Sequence, residues 1–306
     1  MTALAIVLGT PALPARADFR GHNGRLVFTR SGDLYSVLPD GTGLRRLTTT
    51  GGATGRWSPN GKQIAFERGG YIWIMSADGS HQRRLVPGWG PSWSPDGTRI
   101  AGDRTSKCDA FQDTIDRIFT VSVAHPSTKP HTISTYSICT SGEYVASAPR
   151  WLPDGSNILV TDVQASGDFA SVGLDVVNVA SGRRARTPFL TYCDYTGVSG
   201  CPLGNGRDLS LQPDFAPDGS AFVFVSDKGP VSGRTSIYTV LGRGGKAAAW
   251  PGTFYAFGPV WSPDGTVIAY TDRTPGQGPR IRFRALLSTA PSPTVIPNAE
   301  EPDWQP

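Results

Sequence analysis

The sequence predicts an all-β fold: a six-bladed β-propeller of four-stranded antiparallel blades, with the ring closed by the C-terminal strand joining the three N-terminal strands. Three observations carry this expectation. First, runs rich in Val, Ile, Thr, Tyr and Phe alternate with Gly/Pro/Asp/Ser clusters along all 306 residues, which include 37 Gly and 26 Pro. No stretch sustains a 3.6-residue period, so little helix is expected. Second, an aromatic residue followed by a Pro-Asp/Asn-Gly turn recurs along the chain. Third, the two ends of the chain each lack what the other supplies.

The repeat is anchored on Trp57 (WSPNG), Trp93 (WSPDG), Trp151 (WLPDG), Phe215 (FAPDG) and Trp261 (WSPDG), and the final EPDWQP places Trp304 and Pro306 in the same frame. A proline stands two residues before the aromatic at Pro91, Pro149, Pro213, Pro259 and Pro302. Successive aromatics lie 36 to 64 residues apart, which is the period of a propeller blade with insertions. In the turn, Pro fixes φ near −65°, Asp or Asn tolerates turn conformations, and Gly accepts φ > 0 without a steric penalty. All four positions are explained by the turn, so its Asp reads as architectural and not as an acid or a ligand. The six aromatics are expected to pack between neighbouring blades, each ring contributing about 1.5–3 kcal/mol by burial.

After each turn comes an apolar strand (QIAFE, RIAGD, NILVTD, AFVFVSD, VIAYTD), then a second (YIWIMS, RIFTVSV, GLDVVNV, SIYTV, RIRFRAL) and a short third such as QRRLV. With the aromatic strand these make a four-stranded blade. Residues 24–48 supply the second, third and fourth strands of a unit and lack the aromatic first strand, which residues 299–305 supply alone. A ring closed by that complementation leaves no open edge.

This combination of W-S-P-D-G, a following IAY/F strand, D-R or D-K turns and IY/IW strands resembles the PD40 (WD40-like) repeat of TolB-type β-propellers, over roughly residues 24–306. No α/β domain precedes the repeats, and there is no α/β-hydrolase domain or G-x-S-x-G of the prolyl-oligopeptidase kind. TolB-like propellers also include polysaccharide lyases that use His and a metal. No such His set is transferred here, because His22, His81, His125 and His131 form no evident cluster.

Composition narrows the function. The net charge is +4 with no block of five or more basic residues, and the densest patch, GRRAR at 182–186, suits a solvated strand edge, so nucleic acid is not an expected partner. Nothing approaches 18 consecutive apolar residues, so no membrane span is expected. The start, MTALAIVLGTPALPARADF, joins an apolar run to an A-x-A pattern at Ala15–Ala17. It predicts a signal peptide over 1–17 and a single propeller domain over 18–306, in a secreted or periplasmic, cell-envelope setting. The four cysteines fit that compartment, and four allow three pairings. Cys193 and Cys201 share one Gly-rich loop, so Cys193–Cys201 and Cys108–Cys139 are the expected disulfides.

Strand order also assigns loops to faces. The PDG turns share one face, and the long insertions at 104–116, 136–148 and 190–212 share the other. Long loops on a rigid ring are where binding usually resides. That rim gathers Asp109, Asp113, Asp116, Glu143, Tyr144, Asp168, Tyr192, Asp194, Tyr195 and Asp208. Tyr mixed with carboxylate suits a peptide, protein or glycan, or a hard cation such as Ca²⁺ in the central channel. The alternative for any one of them is an ordinary solvated loop residue. The recurrent strand-end Asp103, Asp162, Asp227 and Asp272 read as organisers of hairpin loops. The sequence therefore points to an exported, monomeric, non-catalytic binding scaffold. The second reading is a secreted carbohydrate-active enzyme, a lyase or hydrolase, with its acids in the same loops.

Overall fold

The computed structural model describes residues 23–107, 114–125, 130–137, 143–166, 169–186, 212–226, 234–241, 247–286 and 294–306. Their strands form six four-stranded antiparallel sheets. Blade 1 contains β1 (Leu26–Arg30), β2 (Asp33–Val37) and β3 (Arg45–Arg46). Blade 2 contains β4 (Ala53–Trp57), β5 (Gln63–Arg68), β6 (Tyr71–Ser76) and β7 (Arg83–Pro87). Blade 3 contains β8 (Trp89–Trp93), β9 (Arg99–Lys107), β10 (Thr114–Ser122) and β11 (His131–Ser137). Blade 4 contains β12 (Glu143–Trp151), β13 (Asn157–Ser166), β14 (Phe169–Asn178) and β15 (Arg184–Arg186). Blade 5 contains β16 (Asp214–Phe215), β17 (Ala221–Ser226), β18 (Ser236–Leu241) and β19 (Ala247–Ala249). Blade 6 contains β20 (Ala256–Trp261), β21 (Val267–Asp272), β22 (Arg280–Ala285) and β23 (Val295–Pro297). The last strand, β24 (Glu300–Trp304), is the inner strand of blade 1.

Closure is made by β24 pairing with β1, with Leu26 opposite Trp304 and Val27 opposite Asp303. The Gly24 N–H donates to the Gln305 carbonyl (3.0 Å), and the Gln305 N–H donates to that of Arg25 (2.8 Å). The two ends of the chain are thus held as one hairpin.

Each turn after a repeat aromatic has the expected geometry. Gly61, Gly97, Gly155, Gly219 and Gly265 all have φ between +64° and +72°, where an L side chain would be strained. Asp96 Oδ1 accepts from the Ser94 hydroxyl (2.6 Å), the Thr98 N–H (3.0 Å) and the Thr98 hydroxyl (2.8 Å). Asp264 repeats this set with Ser262 and Thr266. Burial alone would raise the Asp96 carboxyl, but these donors hold it below the usual carboxylate range. The turn Asp therefore ties its loop together, as the repeat implied. Asp96→Ala is expected to cost about 1 kcal/mol, the scale of a lost hydrogen-bond set near the surface, measurable as a lower urea midpoint with an unchanged m-value.

The third-to-fourth loops begin bonded to these turns. The N–H groups of Ala77, Val123, Val179 and Leu286 donate to the carbonyls of Lys62, Thr98, Ser156 and Thr266 at 2.9–3.0 Å. Both loop types lie on one face, the turn face.

The core is six clusters, one at each blade–blade boundary. At the first, Val27, Leu34 and Leu47 of blade 1 meet Trp57, Ile64, Phe66 and Met75 of blade 2. At the last, Val260, Ala269, Ile281 and Phe283 of blade 6 meet Leu26, Phe28, Val37 and Trp304. Trp93, Trp151, Phe215 and Trp261 occupy the same place in the other four. All six repeat aromatics are at most 7% exposed, so they do pack between blades.

Two differences from the sequence reading concern the opposite face. The stretch 104–116 is strand through Lys107 and again from Thr114, and 136–148 is strand through Ser137 and again from Glu143. Arg104, Thr105 and Ser106 stay in register with Arg117, Asp116 and Ile115. Polar composition suggested a loop, but backbone pairing with β-branched residues sustains the ladder. As a result β9, β10, β12, β13 and β14 have 9–10 residues, against 5–6 in the inner three strands of blades 2 and 6. Blades 3 and 4 therefore rise above their neighbours on the face away from the turns. Four extra residues correspond to about 13 Å at the rise of a strand.

The same extension moves two of the recurrent aspartates. Asp103 and Asp162 lie within strands, opposite Ile118 and Gly173, several residues short of the strand ends. Asp272 organises its hairpin loop: its Oδ1 accepts from the Thr274 N–H (2.9 Å) and hydroxyl (2.6 Å), while Oδ2 pairs with Arg280 and Arg282. Asp227 lies outside the described residues.

Candidate functional site

The inner strands place one column of residues around the ring axis, the residue immediately before each repeat aromatic. In ring order these are Asp303, Arg56, Ser92, Arg150, Asp214 and Val260. All six line a cavity of about 80 Å³ on the axis, together with the repeat aromatics. Pro217 and Pro263 of the turns also line it, so the cavity lies toward the turn face.

The local reason is a bulge repeated in the inner strands. Register shifts occur between Ala53 and Arg56, Trp89 and Ser92, Ser147 and Arg150, and Phe257 and Val260, and on β1 opposite β24 between Val27 and Thr29. Three residues before the aromatic, the backbone is left-handed at Thr54 (φ 51°), Gly90 (58°), Gln212 (40°), Gly258 (52°) and Glu301 (55°). A proline follows it in four of these five strands, removing a ladder donor. Such a bulge bends the strand and re-aims its side chains. A non-Gly residue held there costs on the order of 1 kcal/mol, and contacts to the next blade offset it.

Those contacts form two tiers. In the upper one, farther from the turns, Glu301 Oε2 accepts from the Thr54 N–H (3.0 Å) and Gln212 Oε1 from the Gly258 N–H (2.6 Å). Thr54 is too short to repeat this, and Glu67 supplies the acceptor for the Gly90 N–H (2.7 Å). Burial pushes the Glu67 carboxyl up; the Gly90 N–H opposes this and the Glu301 charge adds to it.

In the lower tier, alternate positions do the same. Asp303 Oδ2 accepts from the Trp57 N–H (2.7 Å), the Ser92 hydroxyl oxygen from the Trp151 N–H (3.0 Å), and Asp214 Oδ2 from the Trp261 N–H (2.7 Å). Arg56 and Arg150 stand between these acceptors, with Arg56 Nη1 3.9 Å from Asp303 Oδ1. Burial pushes Asp214 up to about 6, because the Trp261 N–H and the charge of Arg150 only partly offset desolvation and Asp303 adds repulsion. Asp303 is raised for the same first reason, opposed by Arg56.

The residues singled out on the rim fall differently. Asp116 is buried in β10, and its Oδ1 accepts from the Thr105 hydroxyl. Glu143 and Tyr144 lie in β12, opposite Ala165 and Gln164. Asp109, Asp113, Asp168, Tyr192, Asp194, Tyr195 and Asp208 lie outside the described residues, as do Cys108, Cys139, Cys193 and Cys201. His81 and His125 are exposed on third-to-fourth loops, and His131 is exposed at the start of β11. A Ca²⁺ ion does not fit the turn-side cavity, which two guanidinium groups line. No group of three or more His, Cys, Asp or Glu gathers among the described residues. The axial column went unrecognised because its members differ in type. Its signal was positional: the residue preceding each repeat aromatic reads Arg, Ser, Arg, Asp, Val, Asp.

A closed six-bladed ring of PD40-like blades with a polar axial channel defines a TolB-like propeller fold. Solved structures with this fold include TolB from Acinetobacter baumannii, at 16% identity and a TM-score of 0.65 over 92% of this chain and 67% of that one. A putative TolB from Agrobacterium tumefaciens matches at 16% identity and 0.60, over 91% of each chain. An oligogalacturonate lyase from Vibrio parahaemolyticus matches at 10% identity and 0.52, over 82% of each. No protein-family model and no curated protein matches the chain. Among the described residues no helix is long and apolar enough to cross a membrane.

Proposed function

We propose that this protein is an exported, non-catalytic binding propeller that holds a protein, peptide or glycan on the face opposite the turns. One observation carries the reading: blades 3 and 4 extend four or so residues beyond their neighbours on that face, through β9, β10, β12, β13 and β14. A symmetric ring needs no such wall for its own packing. Asp116, Glu143 and Tyr144 belong to its strands, and Asp109, Asp113 and Asp168 to the chain between those strands. Residues 187–211, with Tyr192, Asp194, Tyr195 and Asp208, link blade 4 to blade 5 in the chain and are assigned to the same site by this reading. The A-x-A pattern at Ala15–Ala17 supports export, and the cysteine pairs Cys108–Cys139 and Cys193–Cys201 would pin these connections in an oxidising compartment.

The test exploits blade 2, where a two-residue Gly69-Gly70 turn with both φ values positive joins β5 to β6. Replacing 105–116 by that short turn, which leaves Arg104 opposite Arg117 as in the native ladder, should leave the melting temperature within a few degrees. It should also abolish binding to any ligand that a glycan array or peptide library finds for the wild-type protein. Asp113→Ala with Asp194→Ala should weaken the same ligand at least tenfold. Unchanged affinity in both variants would place the ligand elsewhere.

The second reading, a carbohydrate-active lyase or hydrolase, is favoured by the Asp214 carboxyl, pushed up to about 6 beside Arg150 and Arg56. A carboxyl that keeps its proton near neutral pH can act as a general acid. Turnover of a uronate-containing oligosaccharide that is lost in Asp214→Asn would establish this reading in place of the first.

A further inference from the structure

The turn face opens into a groove at the boundary of blades 5 and 6, and one position of the repeat explains it. The first residue of each blade's second strand lies toward the aromatic of the next blade. At the boundary of blades 3 and 4 this residue is Arg99, whose Cζ stands 4.9 Å over the Trp151 ring. At the boundary of blades 6 and 1 it is Val267, packed on the cluster that holds Trp304. At the boundary of blades 5 and 6 it is Ala221, clustered with Trp261, and a methyl group is too short to cover an indole. The space left is about 520 Å³. Pro217, Trp261 and Pro263 line it as buried residues, and Asp218 and Asp264 are exposed at its rim.

Leu241 lines the same groove, pairs with Ala221 and is 70% exposed. Its counterparts in blades 2, 3 and 4 are polar: Ser76, Ser122 and Asn178. Leu38 holds the place in blade 1, but it lies against Gly43 and is 37% exposed. A large apolar side chain is thus left in water beside an apolar groove, and an apolar occupant would take both out of water.

The described chain begins beside this groove. The Gly24 N–H is bonded to blade 1 through the Gln305 carbonyl, but Asn23 reaches back to blade 6. Its Nδ2 donates to Asp264 Oδ2 (2.8 Å), and its Oδ1 accepts from the Asp264 N–H (3.2 Å). Asp264 therefore both holds the start of the described chain and lines the groove. Residues 18–22 read Asp-Phe-Arg-Gly-His, with Phe19 as their one apolar side chain. The extended chain from Asn23 back to Phe19 spans about 13 Å, enough to carry the ring past Asp264.

We propose that this groove is the docking site of the chain's own N-terminal segment, with Phe19 seated against Trp261 and Leu241 and Arg20 beside the carboxylates of Asp218 and Asp264. Burial of Phe19 and Leu241 carries the docking, since an ion pair at an exposed rim contributes little. The site lies on the other side of the ring from the wall and does not depend on it.

Trypsin cleavage at the Arg20–Gly21 bond of the full chain, followed by mass spectrometry, tests this. Each rate is divided by that of a synthetic peptide of residues 18–25 with the same substitution, which removes the protease's own preference. A docked segment is cut through its open fraction, so the wild type is expected to be cut at least about tenfold more slowly than Phe19→Ala. Leu241→Ser installs the residue of blades 2 and 3, keeps the fold by circular dichroism, and is cut as fast as Phe19→Ala. The double variant is cut no faster than either single one, because both remove the same contact. Ala221→Arg, if folded, fills the groove as Arg99 does and releases the segment too; if it does not fold, the other comparisons decide. Equal relative rates for wild type and Phe19→Ala overturn the proposal, as does a Leu241→Ser variant as protected as the wild type. Protection that falls on dilution places the segment in the groove of a second copy and overturns it as well.

Discussion

A chain ending at Asn298 is expected not to form a stable ring, and to run on size exclusion as aggregate or as an expanded species without a cooperative melt. The missing segment carries Trp304, which is 6% exposed in the core between blades 6 and 1. Removing a buried aromatic costs about 3–5 kcal/mol on its own, against a total stability of about 5–15 kcal/mol for a typical domain. The same cut removes the acceptors that Asp303 and Glu301 give to the N–H groups of Trp57 and Thr54. It also leaves β1 as an unpaired edge, which invites association with other chains. A circular permutant separates loss of closure from loss of residues. Joining Pro306 to Gly24 through Asp-Gly creates W-Q-P-D-G-G-R-L, with six residues between Trp304 and Leu26. That is the spacing between Trp57 and Ile64, the equivalent pair in blade 2. With new ends placed within 187–211, this chain should melt cooperatively and within several degrees of the original. Failure of the permutant alongside folding of the truncated chain would show that β24 is dispensable.

Asp214→Asn is expected to stabilise the protein at pH 7.5 by on the order of 2 kcal/mol, with the gain vanishing near pH 4. The sign follows from linkage. The folded-state value is about 6, against the ordinary 3.8, so between these values the folded protein keeps a proton that the unfolded chain has lost. The contribution of this group is most favourable below the unfolded value, falls as pH rises through the folded one, and is constant above it. Two units correspond to about 3 kcal/mol, and contact with the cavity reduces it. Asparagine resembles the protonated carboxyl and retains an oxygen for the Trp261 N–H, so it escapes this cost. The turn aspartates act in the opposite sense. Asp96 and Asp264 are held below the ordinary value, and their contribution is lost as pH falls through their folded values. Urea titrations of wild type and variant from pH 4 to 8 read both effects. A variant less stable than the wild type at pH 7.5 would mean that ionised Asp214 is a net stabiliser through Arg150 and Arg56.

These expectations draw unequally on sequence and structure. The turns were legible because Pro, Asp and Gly act through their own backbone and near neighbours, and Asp96 and Asp264 have that role here. The six interblade aromatics were legible because their spacing repeats. The wall was misread as loop at 104–107 and 114–116, since a polar stretch such as RTSK announces neither a ladder nor its end. Its pairing with 114–117 depends on a partner strand that continues equally far.

The sequence by itself determined the blade count, the strand order and the closure of the ring, since each follows from a local motif counted along the chain. Tertiary structure decided where the charges meet. Arg56, Arg150, Asp214 and Asp303 are scattered over more than 240 residues, and each looks ordinary where it stands. The ring brings them to one axis, and the left-handed residue three positions before five of the six repeat aromatics re-aims the strands there. Burial beside Asp303, a property of the assembled channel and not of any segment, then raises Asp214.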